Sequence, residues 1–238
     1  MSDAARIVEQ IAEGLISAEI ALAEEQALRG LDMLDEAEIH VHVADSLAAS
    51  GWGVLREVPY PTPPHPRAAR SIRERCDLVL TPRSGQQLID AVERAAWQEK
   101  RSATLFAAID DTAHHDDGAI DPSEAIWLEL KTTGEFVCRD GIGGPNQSYS
   151  SEVVRGPAAD LRKLAADATI ERGIAMLILF ASDEAVARHD IDRAGHSILD
   201  RGLPLGAVEV ATLRIADRIG NRCCCIAGFA CARNLLNG

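Results

Sequence analysis

No stretch of this chain approaches the ~20 uninterrupted apolar residues that a membrane-spanning helix needs. The opening Met1-Ser2-Asp3 lacks a basic segment followed by an apolar one, which argues against a secretory signal and for a cytoplasmic protein. C-x(2–4)-C pairs are absent, and with them the usual spacing of a tetrahedral zinc site. The six cysteines, Cys76, Cys138, Cys223, Cys224, Cys225 and Cys231, crowd toward the C-terminus. That is no disulfide framework, and a chain this long needs none. Buried thiols on a strand are the preferred reading. No Gly-Lys-Ser/Thr follows the glycine-rich stretch 139–148, so it is not a phosphate-cradling P-loop. Repeats and clear linkers are lacking as well. Aromatics make up only 4% of residues. Basic residues are short too: 24 Lys and Arg stand against 37 Asp and Glu, a net charge of −13. That balance opposes nonspecific contact with a phosphate backbone. What is present is 238 residues at 47% hydrophobic, enough for a real core and for one large domain or a domain with an appendage.

Ile7, Ile11 and Leu15 stand at helical spacing and predict a helix over 4–28, ended at Gly30. It either lies against the core or makes an oligomer contact. Asp35 is an N-cap with Glu38 three residues later, a capping box for a helix to about Ala49. Its stripe is Ile39, Val43 and Leu47, and Glu36 continues that stripe one turn earlier. Trp52–Tyr60 reads as a strand, Pro59–Pro66 as an extended loop and Arg75–Thr81 as a second strand. Residues 86–99 read as helix. Asp110–Asp121, with His114, His115, Asp116 and Asp117, reads as a solvated loop rather than a metal site. A third strand follows at Ala125–Thr132 and a helix at 157–172. Ile174–Ala181 is a continuous apolar run, as in a strand covered on both faces. A helix over 183–200 and a hairpin of 207–218 with 222–231, turning at Gly220-Asn221, close the chain.

Two strands carry charge where burial should forbid it. In Trp127-Leu128-Glu129-Leu130-Lys131, alternation sets Trp127, Glu129 and Lys131 on one face. In Arg75-Cys76-Asp77-Leu78-Val79-Leu80, Asp77 interrupts an apolar run. Such charges are costly to bury unless they are paired or bind something. The competing reading is an inward ion pair of Asp77 or Glu129 with Lys131. Buried pairs of that kind rarely add much stability, so they call for another reason to exist.

Asp77 followed by Glu129-x-Lys131, in the order helix, strand, strand, strand, helix, strand over residues 31–181, resembles the PD-(D/E)xK nuclease superfamily, also called restriction-endonuclease-like. Cys76 stands where the name-giving proline would. The resemblance implies an α/β fold with an αβββαβ core, a mixed sheet flanked by helices and the charged residues at one sheet edge. Residues 1–30 form a helical arm outside that core, and 182–238 a helix and hairpin extension. It implies Asp77 and Glu129 as ligands of Mg²⁺ or Mn²⁺, Lys131 as the third catalytic member and Glu36 as a further helix acid. The expected function is metal-dependent hydrolysis of DNA phosphodiester bonds. Arg67, Arg70, Arg73 and Arg75 would form a basic edge for the backbone or equally a solvated loop, and a homodimer is possible. Chemistry asks for the same residue types: hard oxygens suit Mg²⁺, the ion activates water, and a lysine is a compact charge for water or phosphate. The alternative is a nuclease-fold protein that binds nucleic acid or a protein without cleaving, favoured by the acidic balance and few aromatics. A weaker third is an acidic partner that mimics DNA charge. His40 and His42 read as surface histidines, Trp127 as a core aromatic, and Gln147 and Tyr149 as loop closure or substrate contacts.

Overall fold

The run Gly173–Ala181 is buried at every position, and the sheet is assembled around it. The computed structural model describes residues 1–26, 28–62, 74–89, 119–139 and 141–232. Strands β1 (Gly53–Pro59), β2 (Arg75–Thr81), β5 (Ile126–Gly134), β8 (Arg172–Ala181), β10 (Cys223–Cys231) and β9 (Leu205–Arg214) form one six-stranded mixed sheet in that spatial order. β5 and β8 are parallel along nine paired positions; the other neighbours are antiparallel. Two small ribbons, β3 (Gln87–Leu88) with β4 (Ala119–Ile120) and β6 (Phe136–Arg139) with β7 (Ile142–Pro145), stand beside it.

Among the described residues, four helices cover the sheet. α1 (Asp3–Glu24) is capped by the Ser2 side chain, and α2 (Glu36–Ala49) by the Asp35/Glu38 capping box. Together they bury one face: Ile7, Ile11, Leu15, Ile39, Val43 and Leu47 meet Leu78, Leu80, Leu128, Leu130, Met176 and Ile178. α3 (Tyr149–Ala166) and α4 (Glu184–Asp200) cover the other, where Leu161, Leu164, Ile191 and Ile198 meet Val79, Trp127, Leu177 and Leu179. The alternation of strand side chains between two apolar layers is what a doubly covered sheet requires. No helix among the described residues is long and apolar enough to cross a membrane.

α1 lies against the core, the first of the two expected alternatives: Ile7 and Ile11 are fully buried there. The C-terminal hairpin extends the sheet itself, because β10 pairs with β8 and widens it. The chain departs from expectation in several places. The glycine-rich stretch folds into the β6–β7 ribbon, turning at Gly141 with φ of +79°. α3 begins eight residues before the expected start and runs through Pro157. At 86–99, Gln87–Leu88 is strand and positions 90–99 lie outside the described residues. His114, His115, Asp116 and Asp117, and Arg67, Arg70 and Arg73, also lie outside them.

Candidate active site

The pairing of β2 with β5 stops at Leu78–Leu128, while β5 continues to Gly134 paired with β8. Past that point a backbone N–H of β5 needs another acceptor, and Asp77 supplies it: its Oδ2 accepts from Leu130 N at 2.7 Å. A distortion of β1 marks the spot. Glu57 has φ of +54°, where non-glycine residues are strained, and the regular pairs on either side, Arg56–Leu78 and Val58–Cys76, leave Glu57 facing Asp77. Cys76 accordingly packs with the α3/α4 core, against the alternation set by Leu78 and Leu80. Asp77 and Glu129 therefore sit at the mouth between two interior strands rather than at a lateral sheet edge.

Glu129, also one residue beyond the last β2–β5 pair, is 3% exposed. Its Oε1 accepts from the Tyr60 hydroxyl in a short hydrogen bond. Its Oε2 faces Lys163 Nζ of α3 at 3.5 Å. Lys163 also bonds Asp160 Oδ1 at 3.0 Å, and Asp160 is 7% exposed. Tyr60 is held by Trp127, with ring centroids 6.0 Å apart and planes 22° from parallel. Trp127 itself is a core residue, 1% exposed, donating Nε1–H to the Pro122 carbonyl.

Lys131 reaches from β5 to the first turn of α2, where its Nζ meets both oxygens of Glu36 at 2.9 and 3.1 Å. Its stem crosses α3 at Gly156, whose position would put a Cβ 3.2 Å from Lys131 Cγ. Glycine inside a helix costs about 1 kcal/mol relative to alanine, and here it makes room for the lysine. Glu38 does not face the site; it completes the capping box and pairs with Arg29 at 2.9 Å. His40 is not a surface residue: its side chain is 13% exposed, with Nε2 buried 3.8 Å from Glu36. Arg75 is exposed and donates to the Glu57 carbonyl at 2.6 Å. Tyr149 bonds Asp190 at 2.7 Å and ties α3 to α4, and Gln147 is exposed in the turn before α3.

Burial dominates the electrostatics. It raises Glu129 from 4.5 to about 7; the Tyr60 hydrogen bond opposes it, the Asp77 charge adds to it, Lys163 opposes it and Asp160 adds to it. Asp160 is raised as well, by burial first, with Lys163 opposing. Burial lowers Lys163, but Asp160 and Glu129 outweigh it and the net displacement is upward. Tyr60 is raised by burial, then by the nearby Cys76 and Glu129. Crowded acids of this kind gather at functional sites more often than elsewhere.

Asp77 and Glu129 offer hard carboxylate oxygens of the type Mg²⁺ takes, and one or two carboxylates with water suffice for that ion. The donor chemistry fits for these two. Glu36 is engaged by Lys131, and among the described residues no group of three or more His, Cys, Asp or Glu side chains is arranged to hold a metal. None of the six cysteines is joined in a disulfide. Sequence reasoning missed Tyr60, Asp160 and Lys163. One signal was available: only three of the 24 basic residues are lysines, Lys100, Lys131 and Lys163, and two of the three meet here. No family model, curated protein or solved structure matches this chain.

Proposed function

We propose that this chain is a metal-dependent nuclease of the PD-(D/E)xK, restriction-endonuclease-like type, hydrolysing DNA phosphodiester bonds with Mg²⁺ or Mn²⁺. The carrying observation is that Asp77 and Glu129 lie together just past the last β2–β5 pair, with Lys131 two residues further along β5 and paired with Glu36. Supporting it, among the described elements α2, β1, β2, β5, α3 and β8 follow the αβββαβ order once the two-residue and ribbon strands are set aside. Asp77 and Glu129 would hold the ion, which supplies an activated water and relieves charge at phosphorus. Tyr60 orients Glu129 through its hydroxyl. Lys131, steadied by Glu36, carries an ammonium that can neutralise a phosphate oxygen or position the attacking water. Arg75 is the described member of the proposed backbone-binding segment. With a net charge of −13, DNA binding is expected to be weak and salt-dependent, or helped by a more basic partner.

A second reading, a non-catalytic nuclease-fold module binding nucleic acid or a protein, is favoured by one observation. Glu36 and Glu129 already have cationic partners in Lys131 and Lys163. The test is cleavage of linear, single-stranded and branched DNA at low salt with Mg²⁺ or Mn²⁺, comparing wild type with Asp77→Asn and Lys131→Ala. Asp77→Asn keeps an acceptor for Leu130 N–H, so the loss of activity would be read apart from the ~1–3 kcal/mol cost of an unsatisfied buried donor. Cleavage by wild type and its loss in both variants supports the enzyme. No cleavage of any substrate, with no metal binding by calorimetry, selects the second reading.

A further inference from the structure

One ammonium bridges two buried carboxylates. Lys163 Nζ lies 3.0 Å from Asp160 Oδ1 and 3.5 Å from Glu129 Oε2. Asp160 and Lys163 are three residues apart on α3, neighbours on one helix face, so the helix holds its own cation and presents it to a strand acid. Glu129 and Asp160 have nowhere to go, being 3% and 7% exposed. The Lys163 side chain is 38% exposed and rides on a flexible four-carbon stem, so it can swing into solvent while the acids stay. A cation between two confined acids lowers the cost of charging them. In the free protein that cation is Lys163.

We propose that Lys163 is a built-in counter-ion that holds the place of a divalent cation beside Glu129 and is displaced when such a cation binds. The inference rests on the assignment of Asp77 and Glu129 as metal ligands. Two consequences follow. The free protein binds a divalent ion weakly, because each ion must displace an ammonium. A polyanionic substrate that draws Lys163 outward frees Glu129, so substrate and ion strengthen each other's binding.

The test is calorimetric titration of the full chain with MnCl₂, for wild type, Lys163→Gln and Lys163→Arg, with thermal melts confirming that each is folded. Removing the competing charge is expected to tighten Mn²⁺ binding about tenfold or more. Lys163→Arg, which keeps a cation there, should stay within about threefold of wild type on the same ground. Should Lys163→Gln fail to fold, Lys163→Met, which keeps an apolar stem against α3, replaces it. Binding by the neutral variants that is equal to or weaker than wild type overturns the proposal, as does the absence of Mn²⁺ binding in every folded variant. Tighter Mn²⁺ binding without DNA cleavage by wild type upholds the counter-ion and sinks the nuclease.

Discussion

Glu129→Gln keeps the shape of a side chain that is 3% exposed and removes its charge. The Tyr60 hydroxyl still has an oxygen to donate to, and Lys163 still has Asp160. The expected effect is a change in how stability depends on pH. Burial first, with the charges of Asp77 and Asp160, lifts the Glu129 pKa from 4.5 to about 7 against the pull of Tyr60 and Lys163. A carboxyl whose folded pKa lies above its unfolded value contributes stability that is full below the unfolded value and is lost as pH rises through the folded one. At ~1.4 kcal/mol for each pH unit between the two values, ionising Glu129 costs the fold ~3 kcal/mol. The amide never ionises. Between pH 4.5 and 8 the wild type should therefore lose ~3 kcal/mol relative to Glu129→Gln. For a chain of this size that is ~6–12 °C of Tm difference, at ~2–4 °C per kcal/mol. Thermal melts of both proteins at half-unit pH steps across that window measure it directly. A pH-independent difference would refute the reasoning. So would a wild type that gains on the variant as pH rises, for that is the signature of a carboxylate locked in its charged form by Lys163.

Two further expectations separate roles that the fold keeps apart. Glu38→Ala removes a capping box and should cost about 1 kcal/mol of stability with DNA cleavage unchanged. Glu36→Ala breaks a half-exposed pair worth about 1 kcal/mol or less, so melting should barely move while cleavage and Mn²⁺ affinity fall; the opposite pattern would reverse the two assignments. Gly156→Ala adds about 1 kcal/mol of helix propensity but sets a Cβ 3.2 Å from Lys131 Cγ. It should melt no lower than wild type and cleave about tenfold more slowly, as expected when a reacting group is shifted by a few tenths of an ångström. A lower Tm with cleavage intact would mean that the lysine stem yields without consequence.

Local pattern carried much of the fold. Eight of the nine buried positions in β8 can be read from the unbroken apolar run Ile174–Ala181, and the Asp35/Glu38 box from two residues at the right spacing. Failures came where pairing or context decides. The four-residue strands of the β6–β7 ribbon contain two glycines and no apolar alternation, so nothing local distinguishes them from a loop. Gly156-Pro157 has the local chemistry of a helix break, yet α3 runs through it; tertiary contact overrides it, with Gly156 seated on Lys131 and Pro157 buried. That β10 would join β8 is a long-range choice, and no periodicity within the hairpin encodes it.

The site divides along the same line. Strand alternation brings Glu129 and Lys131 to notice, and Asp77 stands out as a charge in an apolar run. Asp160 escaped although the reasoning that selected Glu36 applies to it. Buried α3 positions Val153, Pro157, Asp160 and Leu164 recur at helical spacing, and an acid on that stripe points into the core as surely as one beside Ile39 and Val43. Lys163 follows it by three residues in a chain that otherwise uses arginine almost throughout. Adding this pair changes the charge of the site. Glu36, Asp77, Glu129 and Asp160 set four carboxylates against the two ammoniums of Lys131 and Lys163. With every acid ionised, two negative charges remain, and Glu129, poised near 7, decides whether the second is present. A divalent cation would cancel that remainder. Its binding should release close to one proton at pH 6 and progressively less toward pH 8, and calorimetry in buffers of different ionisation enthalpy reads that number. Proton release that does not fall over this interval would remove Glu129 from the ion's surroundings.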